Sequence, residues 1–155
     1  MTHGCSGERG QVAGIEALPF GLLLFVAGAL LLVNIWGVVD TKFAADTAAR
    51  EAVRYVAEVA GGGRSDDRIR AEATRVARQA FADHGKQQPL AVELRADRDD
   101  LQRCARVTAR VETVVPAIRL PFFGGFGEAF DVVATHSELV DPARSGVVGR
   151  ADCIA

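Results

Sequence analysis

Few residues in this 155-residue chain have the type and spacing that chemistry requires. His136 and Ser137 adjoin, a base beside a hydroxyl, but consecutive side chains of a strand point to opposite faces and cannot act on each other. His84 closes a helix with no catalytic partner in sight. Cys5, Cys104 and Cys153 include no CxxC pair and no histidine at ligand spacing, so neither a metal centre nor a cofactor is expected. In an exported domain Cys104 and Cys153 are either joined across the fold or left as two unpaired thiols, and spacing alone does not choose. The chain reads as a non-enzyme.

The acid that stands out is Glu16, placed where an apolar run begins. Ala17 to Val39 reads ALPFGLLLFVAGALLLVNIWGVV, with no charge and one strongly polar side chain, Asn34. At about 1.5 Å per residue its 23 residues reach about 34 Å, enough for a hydrocarbon core of about 30 Å. The lipid bilayer is therefore an expected partner. A secretory signal would be shorter and would end in a small-residue cleavage site, whereas this run continues into more helix. Pro19 is expected in the first turn and Trp36 at the far headgroup level. Gly21 and Gly28, with Ala27 and Ala29 nearby, give small-residue faces for close helix contact. Arg9 stands against Glu8 and Glu16, and Lys42 against Asp40 and Asp46, so flanking charge does not decide orientation.

These residues need elements to position them. Asp40 to Ala60 carries Phe43, Ala49, Val53, Val56 and Ala60 at helical steps, which predicts an amphipathic continuation of the apolar helix. Gly61, Gly62 and Gly63 end it. Ser65 is an N-cap candidate for a second helix, with Asp66 and Asp67 in its first turn and an apolar stripe of Ile69, Ala73, Val76, Ala77, Ala80 and Phe81. The arginines on its other faces read as a solvated surface. The period then changes to two: Leu90 to Arg95, Ala105 to Val115 and about Phe130 to Leu139 read as strands. On the second, Val107, Ala109, Val111, Thr113 and Val115 share the face expected to pack on a helix.

PAIRLPFFGGFGEAF, residues 116–130, reads as a loop between the last two strands. Its aromatics, Phe122, Phe123 and Phe126 among them, either fold back over the core or form an exposed patch that meets a partner or the membrane surface. The expected organisation is a leader over 1–16, a transmembrane helix over 17–39, extracytoplasmic helices over 40–84, a sheet domain over 88–141 and a loose tail over 142–155. The class is α+β: a long N-terminal helix, transmembrane then amphipathic, a second helix and a three-stranded antiparallel sheet. A net charge of -2, with arginines interleaved among acids, disfavours nucleic acid as a partner.

This order of a leader, a glycine, an acid, a long apolar helix and a sheet resembles type IV pilin-like proteins. RGQVAGIEALPFGLLLFV followed by AAREAVRYV is similar to the TadE-like minor pilins or pseudopilins of tight-adherence (Flp) pilus systems, over about the first 60 residues. RCARVTARV and ATHSELVDPARSG look like segments of TadE-like proteins of high-GC Gram-positive bacteria. The resemblance implies a prepilin peptidase that cuts after Gly10, leaving Gln11 as the new N-terminus, and a glutamate that docks the subunit through a neighbour's freed amine. Other pilin-like subunits and the pilus assembly machinery are then its partners. It also implies a single pass through the cell membrane, with the leader cytoplasmic and the domain extracytoplasmic. The family's glutamate is five residues beyond the cut; here Ile15 is fifth and Glu16 sixth. Either this spacing is accommodated, or the chain keeps its leader as an uncleaved single-pass envelope scaffold that binds a partner complex.

Overall fold

The computed structural model describes residues 12–61, 63–98, 101–120, 124–143, 145–150 and 153. Helix α1 runs unbroken from Val12 to Val59, 48 residues, or about 72 Å. Pro19 lies inside it, not in the first turn, because the helix starts earlier than the apolar run does. Lacking an N–H, Pro19 leaves the carbonyl four residues back without its helical donor. The helix ends where the glycines begin: the Ala60 amide still donates to the Val56 carbonyl at 2.9 Å, and Gly61 turns away at φ 82°. A Cβ on Gly61 would stand 2.7 Å from the Gly146 carbonyl oxygen, so a side chain is excluded twice over, by conformation and by space.

Helix α2 spans Asp66–Asp83 and buries Ile69, Ala73, Ala77 and Phe81. Ser65 is its N-cap residue, but its side chain makes no capping hydrogen bond. The adjacent Asp66 carboxylate accepts instead from the distant Leu101 amide at 2.9 Å, so the helix start is tied to the loop after the first strand.

The sheet is antiparallel, in the order β1 (Leu90–Ala96), β2 (Arg106–Leu120), β3 (Gly124–Leu139). As the alternation predicts, Val107, Ala109, Val111, Thr113 and Val115 are buried, joined from β3 by Val132 and Ala134. Against this face and against α2, α1 and the residue after it present Thr41, Ala44, Ala45, Ala48, Ala49, Ala52, Val53, Val56 and Ala60, all buried. Small side chains let the helix axis lie close to the sheet, so the core is thin and depends on close fit. Phe43, expected in this stripe, is instead 63% exposed, because Thr41, Ala44 and Ala45 take the inward positions on either side of it.

Two further expectations are corrected. Residues 116–120 and 124–130 are strand, not loop: pairing continues through Pro116↔Ala129, Ile118↔Phe126, Arg119↔Gly125 and Leu120↔Gly124, with an irregularity between Pro116 and Ile118. A bulge is where a strand tolerates proline, and Gly125 makes room for it, since a Cβ there would sit 2.6 Å from the Pro116 Cβ. The tail is not loose where described: Val147 is buried, and the Arg103 amide donates to the Val148 carbonyl at 2.9 Å. A disulfide joins Cys104 to Cys153, with a Cα separation of 5.2 Å. Of the two readings open for these thiols, the structure takes the bridge; Cys104 sits at φ 62°, an unusual backbone state for a residue with a side chain.

Candidate functional site

The feature the fold leaves uncovered is the first half of α1. It is the one helix among the described residues long and apolar enough to cross a membrane, and nothing in its most apolar stretch is buried by the rest of the chain. Leu18, Phe25, Leu32 and Trp36 are all largely exposed, Trp36 at 72%. Leaving so many large apolar side chains in water is costly, at about 25 cal/mol per Å2, which is the physical case for a lipid surround. Within the span Asn34 donates to the Leu30 carbonyl at 2.7 Å, and just past it the Thr41 hydroxyl donates to the Gly37 carbonyl at 2.8 Å. Such pairing satisfies groups that would otherwise be stranded in hydrocarbon.

Gly21 and Gly28 are seven residues apart, nearly two full turns, so they share one face; a Cβ at either would meet open space. Their lack of side chains is therefore not needed inside this chain. Gly10 and Gln11 lie outside the described residues, as do Phe122 and Phe123; of Glu16 and Phe126 only the backbone is described, in α1 and β3.

Where the apolar run ends, a polar collar begins. Lys86 reaches across from beyond α2 to the Asp40 carboxylate, and the Lys42 ammonium donates to the Val133 carbonyl of β3. These are the chain's two lysines, against sixteen arginines. Their placement at one level of α1 was not anticipated, although that scarcity was a signal in plain view. A lysine offers a compact, strongly hydrated charge suited to the edge of an apolar layer.

The remaining chemistry is modest. His136 is half-buried on the helix side of the sheet, while Ser137 lies on the open face with its hydroxyl 2.9 Å from that of Thr108. The open face also carries a depression of about 380 Å3, lined by Ala91, Arg110, Glu112, Val114, Asp131 and Val133. The Arg110 guanidinium in its lining is taken up by Glu112 at 2.5 Å. Among the described residues no cluster of His, Cys, Asp and Glu could hold a metal ion.

No family model, curated protein or solved structure matches the chain. Function is therefore argued from its own residues, and the strongest of these lie on α1. Its exposed apolar face runs through Phe25, Leu32 and Trp36 to Phe43, at steps of seven, four and seven residues. That stripe continues past the Asp40 collar onto the part of the helix that carries the domain.

Proposed function

We propose that the chain is a membrane-anchored minor pilin or pseudopilin of the TadE-like kind, which contributes to assembly of a Flp (Tad) type pilus or a related secretion apparatus. One observation carries this reading: a single 48-residue helix whose apolar first half is uncovered and whose second half is the spine of an α+β domain. A helix built that way anchors a domain and at the same time offers a long surface for packing against equivalent helices. The stripe ending at Phe43, with Gly21 and Gly28 free of internal contacts, suits such packing.

The reading places the N-terminus in the cytoplasm and the domain outside. The Cys104–Cys153 bridge supports that orientation, since disulfides persist in oxidising compartments and are rare in the cytosol. Glu16, at the start of the span, would pair with a neighbour's N-terminal amine and set the stagger between subunits. Its sixth position favours one competing reading, an uncleaved envelope scaffold that enters no filament.

Site-specific photo-cross-linking tests the packing. A photoreactive residue in place of Leu32 or Phe43, in the full chain in its own membranes, is expected to give adducts with a second copy or with another pilin-like subunit. Uncross-linked monomer at both positions would contradict it.

A further inference from the structure

The β2–β3 hairpin outruns the sheet it belongs to. β1 pairs with β2 no further than Leu90 opposite Thr113, so beyond that point β2 and β3 continue as a two-stranded ribbon to Leu120 and Gly124. Two contacts fix its direction. At the far end of the domain Gly61, just past α1, faces Gly146 and Val147, in the segment that follows β3 through Val140. At the near end Lys42 holds the carbonyl of Val133. β3 therefore runs in the same sense as α1, and the residues before Val133 continue back toward the apolar half of that helix.

The distances allow close approach. From Val133 to Gly124 is nine residues of strand, about 30 Å, while Lys42 to Leu30 is twelve residues of helix, about 18 Å, so the ribbon reaches that level even when it crosses the helix obliquely. The helix carries a matching trace. Leu30, Asn34 and Val38 are half-buried and Thr41 is buried, all on one face, while Leu31, Leu32, Ile35 and Trp36 beside them are exposed. Among the described residues of the ribbon, Val114, Ile118 at 49% and Phe130 at 54% are exposed apolar side chains, and the exposed Asp131 points to the face opposite Phe130.

We propose that the end of this ribbon is a second membrane contact, resting in the interfacial layer of the bilayer beside α1 with Ile118 and Phe130 against lipid. This rests on α1 being the span. Lipid is the occupant because the ribbon passes below the Asp40–Lys86 and Lys42 collar, at a height where the exposed neighbouring side chains of α1 already face the bilayer. The open backbone edges of a two-stranded ribbon keep it shallow, since unpaired amides and carbonyls are not carried into hydrocarbon. Attachment at two points would fix the rotation of the domain about α1, and so the direction in which the Phe43 stripe is presented.

Depth-dependent fluorescence tests this on the full chain in phosphatidylcholine vesicles with lipids brominated near the headgroup end of their acyl chains. Trp36 is the chain's one tryptophan and reports the span. In a Trp36→Phe background, Phe130→Trp supplies a probe on the ribbon, Ile118→Trp a second should the first misfold, and Leu139→Trp a control at the far end of β3. The ribbon probe is expected to lose most of its emission to brominated lipid and to resist acrylamide, with the Leu139→Trp control behaving oppositely. If Trp36 is quenched by brominated lipid and the ribbon probes are not, the proposal is overturned and the span stands; shielding of those probes from both quenchers would indicate a protein surface and overturn it equally. An unquenched Trp36 would remove the span and the ribbon contact together.

Discussion

Tyr55 on α1 donates to the Glu72 carboxylate on α2, and Arg68 and Arg64 stand 3.4 and 3.6 Å from the same carboxylate. The Tyr55 hydroxyl, then the two arginines, hold Glu72 below the usual carboxylate range, and the same hydrogen bond holds Tyr55 above the usual phenol range. The signs follow from linkage. Glu72, lowered on folding, adds stability that is present above the ordinary glutamate range and lost as pH falls from there through its lowered folded-state value; Tyr55, raised, adds stability that is present below the ordinary phenol range and lost as pH rises from there through its raised folded-state value. Tyr55→Phe is expected to lower Tm most near neutral pH, with the difference from the natural chain shrinking at both extremes. A difference that stays flat with pH would mean that packing, not this hydrogen bond, is what the tyrosine supplies. The bridge between Cys104 and Cys153 closes a separation of 49 residues, and Cys153→Ser is expected to cost about 2–4 kcal/mol, measurable by urea unfolding. Gly61→Ala, forced to φ 82° beside Gly146, is expected to cost about 1–3 kcal/mol or more by the same measurement.

At the scale of elements, the thin interface between α1 and the sheet sets the sensitivity to substitution. Ala48 is fully buried among small neighbours, and Ala48→Leu is expected to destabilise by about 1–3 kcal/mol through overpacking. Phe43 is the contrasting case: exposed on the same helix, its replacement by serine is expected to leave Tm nearly unchanged while reducing cross-linking between copies. The difference between these two positions was only partly legible in the sequence. Helical period located the stripe and its Val53, Val56 and Ala60 members, but a phenylalanine outweighs an alanine on any hydropathy reading, and only the packed sheet shows that alanines fill the inward row. β2 was legible because alternation over Val107 to Val115 is a strong signal for a half-buried strand. Its extension was not, because Pro116 and three glycines carry turn signals that a bulged ribbon satisfies equally well. The buried Val147 was hidden for a related reason: an isolated valine in a turn-rich tail has no period to reveal it.

For the molecule as a whole, α1 is one rod doing two jobs, and the division between them falls at the Asp40 collar. The second half of that rod carries α2 and the body of the sheet, while the most apolar stretch of the first half is left unburied by the described residues. The sequence made this division plain, because an uncharged run of 23 residues followed by a charged amphipathic one has few other physical outcomes. What composition could not supply is whether the leader is removed, and on that the account of a pilin-like subunit turns. The most direct measurement is the N-terminus of the mature protein, by mass spectrometry of membranes from cells with and without prepilin peptidase. The account predicts a chain that begins at Gln11 only where the peptidase is present; a leader retained in both would contradict it and leave an uncleaved, membrane-anchored envelope protein.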